Sequence, residues 1–198
     1  MSASRQNTHY VRKLKPMPDA IFDRRKLKTR VALQTAFLEL LLEHGYSAIK
    51  TTEIADRANV GRSTCYEHYR NKQEMLCESV RVPFSILADL VRPDRSLQSV
   101  STLLEHLRKN QQVARVLLSW PTRALLADTL AELITTRLPR ATRGALLPAQ
   151  VIGRQAAEAQ LALIEIWIRG RPACSKSSMA RALQSSTLAL VAALTGLH

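Results

Sequence analysis

The stretch TTEIADRANVGRSTCYEHYRNK, from Thr51 to Lys72, decides the fold of this chain. The spacing of its apolar residues predicts a first short helix over roughly Thr52 to Ala58 and a second over roughly Arg62 to Tyr69. Asn59-Val60-Gly61 predicts a tight turn between them, because Asn and Gly adopt backbone conformations that other residues avoid. Two short helices joined in this way form a helix-turn-helix, whose second helix can lie in the major groove of DNA.

The second predicted helix has one inward and one outward face. Cys65 and Tyr69 are four residues apart, which places both on the inward face. The outward side chains can donate hydrogen bonds to phosphates and to guanine, and they are Arg62, Ser63, Thr64, Tyr66 and His68. At the start of the first helix, Thr51 and Thr52 are predicted N-cap residues, because a hydroxyl can accept a bond from an otherwise unpaired backbone N–H.

Beyond this stretch, Lys28 to Leu76 resembles the DNA-binding domain of the TetR family, the tetracycline-repressor-like transcriptional regulators. The residues that carry the resemblance are Ala36, Phe37, Gly45, Tyr46, Thr51-Thr52, Ile54-Ala55, Thr64, Tyr66, His68, Tyr69, Lys72 and Leu76. Two positions depart from the family pattern: Asn59 stands where Gly is usual, and Gly61 stands where a Ser or Thr cap is common. Both residues are permitted by the backbone, so the resemblance implies the family fold.

The resemblance and the chemistry of the outward face together predict a set of DNA contacts. In the family, the positions of Thr64, Tyr66 and Lys72 commonly touch the DNA backbone. Arg62 is the predicted reader of a base edge, since its fork can bind guanine bidentately, with a phosphate contact as the alternative. The full predicted set is Lys28, Thr51, Thr52, Arg62, Ser63, Thr64, Tyr66, His68, Tyr69 and Lys72.

On the N-terminal side of this domain, residues 1–24 read as a flexible basic arm, which either tracks phosphates or has no specific role. Asp23 to His44 predicts a long first helix with a basic start at Arg24, Arg25, Lys26, Lys28 and Arg30. Positive charge opposes the dipole at a helix N-terminus, so contact with phosphates explains the cluster better than helix stability does. The helix-turn-helix domain is predicted over residues 25–76.

Residues 77–198 predict a helical ligand-binding and dimerisation domain. Helical patterns cover Leu97 to Asn110, Val113 to Trp120, Thr122 to Leu138, Ala149 to Arg169 and Ser175 to Gly196, and Pro83 is expected to kink or divide the fourth helix. Family resemblance implies that the last two helices pair with a second copy, through Leu161, Ile168, Leu183, Leu190 and Leu194. It also implies a ligand pocket, for which the candidates are Phe84, Leu87, Leu103, Leu107, Trp120, Ile164 and Trp167.

Composition narrows the function classes. The chain has 198 residues, six glycines and no long apolar run, which favours an all-α cytoplasmic protein without a membrane span. Its three scattered cysteines and five histidines show neither a disulfide framework nor metal-ligand spacing, so we expect no metal and no cofactor. The net charge of +13 suits nucleic acid. In the second half the excess of basic residues indicates either solvated arginines, a site for an anionic ligand, or further contacts with DNA.

The sequence therefore predicts a dimeric transcriptional regulator, most simply a repressor that a small-molecule effector releases from a palindromic operator in bacterial DNA. A first alternative is a DNA-binding regulator without such an effector, controlled by a protein partner. A second is a helical enzyme fused to a DNA-binding module. We predict no enzyme activity, because no nucleophile–base pair or paired carboxylates stand out.

Overall fold

A computed structural model describes residues 24–138, 145–170 and 173–196. The predicted basic arm lies outside these ranges except for Arg24. Within them, all regular secondary structure is helical, which confirms the predicted all-α class. The chain divides into two compact units, the first ending at Ser79 and the second beginning at Val80.

The helices begin and end within a few residues of the predicted positions. They are α1 (Arg24–His44), α2 (Thr51–Arg57), α3 (Arg62–His68), α4 (Lys72–Ala88), α5 (Leu97–Lys109), α6 (Gln111–Leu117), α7 (Thr122–Thr135), α8 (Ala149–Arg169) and α9 (Lys176–Thr195). Two short 3-10 turns, Tyr46–Ala48 and Asp89–Val91, follow α1 and α4.

The core of the first unit forms around the apolar face of α1. Leu33, Phe37 and Leu41 recur every four residues and are fully buried. Gly45 ends the helix with φ 72° and ψ 160°, a conformation that only glycine adopts readily. The chain then turns so that the Tyr46 ring meets the edge of the Phe37 ring, with centroids 6.5 Å apart.

Of the two outcomes expected at Pro83, division of the helix is wrong, because α4 continues through this residue from the first unit into the second. Proline removes one backbone N–H from the helix but leaves the hydrogen bonds of the flanking turns available. Val80, Phe84 and Leu87 lie on one face of α4 and are buried. Burial of this face on both sides of the proline stabilises the continuous helix.

In the second unit, α8 packs against both α7 and α9. The contact with α7 is closest at Gly153, where an added Cβ would overlap Thr135 Oγ1 and lie 2.9 Å from the Ala131 carbonyl oxygen. The amide side chain of Gln160 is buried among these helices. Its Nε2 donates to the Leu87 carbonyl oxygen at 3.2 Å and to Thr187 Oγ1 at 2.9 Å, which joins α8 to the end of α4 and to α9.

Candidate nucleic-acid interface

The turn between α2 and α3 depends on one left-handed residue, Asn59, whose φ is 53°. This conformation lets the Val60 N–H donate to the Ala55 carbonyl oxygen at 3.0 Å and closes the turn. Gly61 has φ −59° and ψ 142°, which any residue adopts, so its expected backbone freedom is not used. The left-handed backbone conformation of the turn therefore lies at Asn59 and not at Gly61, whereas the sequence predicts an unusual conformation at both residues.

The cap of α2 also differs from the prediction. Lys50 is the N-cap residue, and Thr51 and Thr52 lie in the first turn of the helix, where both are half-buried. The Lys50 backbone N–H donates to Glu53 Oε2 at 2.9 Å. Because the capping acceptor is supplied by Glu53, the two threonine hydroxyls do not have to cap the helix.

The outward face of α3 is exposed, as the sequence predicts. The side chain of Arg62 is 65% exposed and Tyr66 is 51% exposed. Ser63 is also exposed, while Thr64 and His68 are half-buried. Arg62 Nη2 lies 3.5 Å from Asp56 Oδ2, a long contact at the surface that costs little to break. On α1, Lys28 is exposed as well.

Tyr69 belongs to the core and not to this surface, which corrects its place in the predicted contact set. It is 2% exposed, and its hydroxyl accepts hydrogen bonds from Arg30 Nε and Gln34 Nε2, both at 3.1 Å. Arg30 Nη2 also donates to Glu78 Oε1 at 2.8 Å, so this member of the basic cluster on α1 points into the unit. Burial raises the pKa of the Tyr69 phenol. Tyr69 therefore joins α1 to the end of α3.

Lys72, for which a phosphate contact is predicted, has a structural role in the first unit. Its Nζ donates to the carbonyl oxygens of Tyr46 at 2.8 Å, Ser47 at 3.3 Å and Ile49 at 2.8 Å. The ammonium group also lies 4.6 Å from the centroid of the Tyr46 ring. An ammonium group has three N–H donors, and these three carbonyls use all of them. The sequence carried no sign of this, because the three acceptors are backbone atoms more than 20 residues away.

The predicted pocket residues differ in how far they are exposed. Phe84, Leu87, Leu103, Ile164 and Trp167 are buried in the core of the second unit, and Leu107 is half-buried. Trp167 Nε1 donates to the Cys174 carbonyl oxygen at 3.0 Å. Trp120, by contrast, is 85% exposed. Apolar residues at helical spacing here form core, and Trp120 alone lies at the surface.

Three of the five predicted dimer residues are also core. Leu161, Ile168 and Leu183 are buried within a single chain, whereas Leu190 and Leu194 are half-buried. The other sides of α8 and α9 carry the exposed apolar residues Val151, Ile166, Ala182, Ala189 and Ala193. A helix that is apolar on several sides does not reveal from its sequence which side faces its own core.

Comparison with known proteins agrees with this geometry. Residues 35–78 match the sequence profile of the bacterial regulatory proteins of the tetR family. Over 55 residues the chain is 47% identical to the uncharacterized HTH-type transcriptional regulator YxbF of Bacillus subtilis, a match that covers 27% of this chain and 14% of that protein. The chain thus spans about a seventh of the length of this relative.

Solved structures resemble the whole fold. A TetR-family regulator from Streptomyces coelicolor matches with a TM-score of 0.62 at 16% identity, covering 87% of this chain and 99% of that one. A TetR transcriptional regulator from Streptococcus agalactiae matches with a TM-score of 0.54 at 24% identity, covering 83% and 96%. In the described ranges, none of the helices is long and apolar enough to cross a membrane. The match over the helix-turn-helix shows that residues 35–78 are similar to the tetR family of bacterial regulatory proteins.

Proposed function

We propose that the chain is a sequence-specific DNA-binding transcriptional regulator that acts as a homodimer on a palindromic operator and represses transcription there. The exposed donor face of α3 is the observation that carries this proposal. Arg62 and Tyr66 both lie on it, and both are exposed. A helix with this face, following a tight turn, matches the geometry of a recognition helix in the major groove.

The proposed contacts divide into base reading and phosphate binding. Arg62 reads a guanine edge, because its fork is free apart from the long contact with Asp56. The other proposed contacts hold the DNA backbone and fix the register of α3; they are Lys28, Thr51, Thr52, Ser63, Thr64, Tyr66 and His68. Tyr69 and Lys72 are left out, since the first unit uses both internally.

A dimer explains why a palindrome is expected. Two copies related by a two-fold axis place two α3 helices in successive major grooves, with half-sites about one helical turn apart. The exposed apolar sides of α8 and α9 offer the surface for such a pairing, because Ile166 on α8 and Ala189 on α9 are open to solvent in the single chain.

For regulation, we propose that a small molecule bound to the second unit releases the operator. Such an effector must bind the DNA-free arrangement better than the DNA-bound one, and a difference of about 1–3 kcal/mol suffices for partial release. The alternative is control by a protein partner. Burial of Phe84, Leu103 and Trp167, which are candidate pocket residues, is compatible with this alternative, because buried apolar side chains can serve as core alone.

Selection of bound fragments from random DNA by the purified protein at physiological salt tests the central proposal. We expect a palindromic consensus whose half-sites are about one helical turn apart. Salt-sensitive binding without any consensus would contradict sequence-specific regulation, since phosphate contacts alone give affinity without preference.

Replacement of Arg62 by Ala tests the base-reading role. We expect the preference at one operator position to fall by about 1–3 kcal/mol, because a bidentate contact with guanine is lost. Binding to operators substituted at each position in turn measures this change. Arg70→Ala is the matched control, since Arg70 is exposed but lies after the end of α3. An unaltered preference at every base in the Arg62 variant would exclude base reading by this residue.

A further inference from the structure

We propose that a cleft on the second unit, bounded by α6, the start of α7 and the end of α8, binds a small organic anion that carries an aromatic ring. The cleft has a volume of about 460 Å³, which lies in the range of small-molecule sites in proteins. Its floor is apolar, because the lining residues Leu118 and Ile168 are both buried. The proposal follows from the unusual side chains above this floor.

The first of these is Trp120, which lines the cleft although its side chain is 85% exposed. Burying an indole ring away from water is favourable. A ligand that covers an exposed tryptophan beside a cleft therefore gains binding free energy. A flat aromatic ligand would cover the indole and remove water from both surfaces. The other tryptophan, Trp167, is buried and hydrogen-bonded, so it does not share this exposure.

The second feature is an excess of positive charge. Arg115, Arg123 and Arg169 line the cleft together with a single carboxylate, Glu165. Glu165 already pairs with Arg169 at 2.5 Å and lies 3.7 Å from Arg123. Arg123 is held further by Glu158 at 2.7 Å. With Glu158 counted beside Glu165, two carboxylates pair with Arg123 and Arg169, and one of the three arginines is left over.

Arg115 is that additional cation. Its Nη2 donates to Gln111 Oε1 at 3.3 Å and to the Ile168 carbonyl oxygen at 3.4 Å, and both acceptors are uncharged. No carboxylate in the described ranges forms an ion pair with it. A guanidinium with long bonds to neutral acceptors has donors available for a carboxylate, which it can bind bidentately. The lining thus selects a carboxylate attached to an aromatic ring, and it gives one physical reason for the basic excess of the second half.

The inference rests on the proposed function only where ligand binding is coupled to release of DNA. Binding itself is measured on the full chain without DNA. A failure to bind operator DNA would therefore overturn the proposed regulator and leave the ligand titration unaffected.

The test is titration of the ¹⁵N-labelled full chain with 2-naphthoate, followed through the indole N–H resonances in NMR. The protein has two tryptophans and hence two such resonances, and Trp120→Phe assigns them. We expect a saturable shift of the Trp120 resonance and a smaller change for Trp167. The uncharged isostere 2-naphthylmethanol should bind about tenfold or more weakly, because it lacks the charge-assisted bonds to the arginines.

Arg115→Gln should weaken 2-naphthoate binding by about tenfold or more and leave 2-naphthylmethanol unchanged. Arg181→Gln, at an exposed arginine on α9 outside the cleft, is the matched control and should change neither. The proposal is overturned if the Trp120 resonance does not shift at millimolar 2-naphthoate, or if both compounds bind equally well. It is also overturned if the Trp120 resonance depends on protein concentration without any probe, because a second copy of the chain then covers the cleft.

Discussion

At the scale of single residues, Lys72 shows how one charged side chain holds an irregular segment. The backbone carbonyl oxygens in and just after the 3-10 turn that follows α1 need hydrogen-bond donors from outside the turn. The Lys72 ammonium group donates to three of them, those of Tyr46, Ser47 and Ile49. Hydrogen bonds from a charged donor contribute about 1.5–3 kcal/mol each when they are well formed. The turn directly precedes α2, so its order bears on the position of the helix-turn-helix.

Lys72→Met keeps most of the aliphatic stem and removes the charge. We expect it to destabilise the first unit by about 1–3 kcal/mol, because the carbonyl oxygens lose their donor. Faster amide hydrogen exchange in peptides spanning residues 46–72 would report this loss. Lys26→Met, at an exposed lysine of α1, should stay within about 0.5 kcal/mol of the parent. Unchanged exchange, together with a flatter salt dependence of DNA binding, would return Lys72 to the phosphate contacts.

Two glycines in the same unit should respond oppositely to the same substitution. Gly45→Ser forces a side chain into φ 72° and ψ 160°, at a cost of about 1–3 kcal/mol although no atom lies within 4 Å of the new Cβ. Gly61→Ser should stabilise by about 0.5–1 kcal/mol, because Gly61 has N-cap geometry and its Cβ would meet only Thr64 Oγ1 at 3.9 Å. Urea unfolding followed by circular dichroism measures both. Effects of the same sign would refute the backbone argument.

At the scale of helices, the sequence predicts where elements lie better than which way their side chains face. Apolar spacing and the Gly170 and Gly196 caps define α8 and α9 closely, since periodicity and capping are local properties. The predicted DNA contacts include Tyr69 although its spacing from Cys65 places it on the inward face, and the predicted dimer contacts include Leu161 because a leucine suits a core or an interface. Only tertiary contacts decide between core and surface, such as the bonds of Tyr69 to Arg30 and Gln34 and the packing of α8 on α7 and α9.

The contact between α7 and α8 gives a prediction at this scale. An alanine inside a helix is ordinarily more stable than a glycine by about 1 kcal/mol. At Gly153 we expect the reverse, a loss of about 1–3 kcal/mol, because the new methyl group would overlap Thr135 Oγ1 and crowd the Ala131 carbonyl oxygen. Urea unfolding monitored by tryptophan fluorescence reports the second unit, which contains both tryptophans.

Gln155→Ala is the control for that experiment, since Gln155 is an exposed residue of the same helix and should gain slightly from helix propensity. If Gly153→Ala were as stable as the parent, α7 and α8 could separate without cost, and their close approach would not be a determinant of the fold.

At the scale of the whole molecule, the proposed function requires that two subunits contact the DNA together. One helix-turn-helix reads only a few base pairs, whereas two joined subunits gain affinity because the second binding event is intramolecular. The net charge of +13 attracts DNA of any sequence and so does not distinguish one site from another. In the proposed dimer, discrimination between DNA sites therefore depends on how the two α3 helices are spaced. In this proposed dimer, the surface that joins the two copies sets this spacing, so that surface contributes to specificity together with Arg62.

Ile166→Glu and Ala189→Glu test the proposed dimer surface, because each places a carboxylate on an exposed apolar side of α8 or α9. Burying that charge between two copies would be unfavourable, so we expect sedimentation to change from twice the chain mass of 22.2 kDa to the single mass. Affinity for the full palindrome should fall by about 10²–10⁴-fold, while affinity for one half-site stays the same, since only the link between subunits is lost. Ala124→Glu, at an exposed alanine of α7, should leave the mass and both affinities unchanged. A dimer that persists in both α8 and α9 variants would place the interface on another face of the second unit.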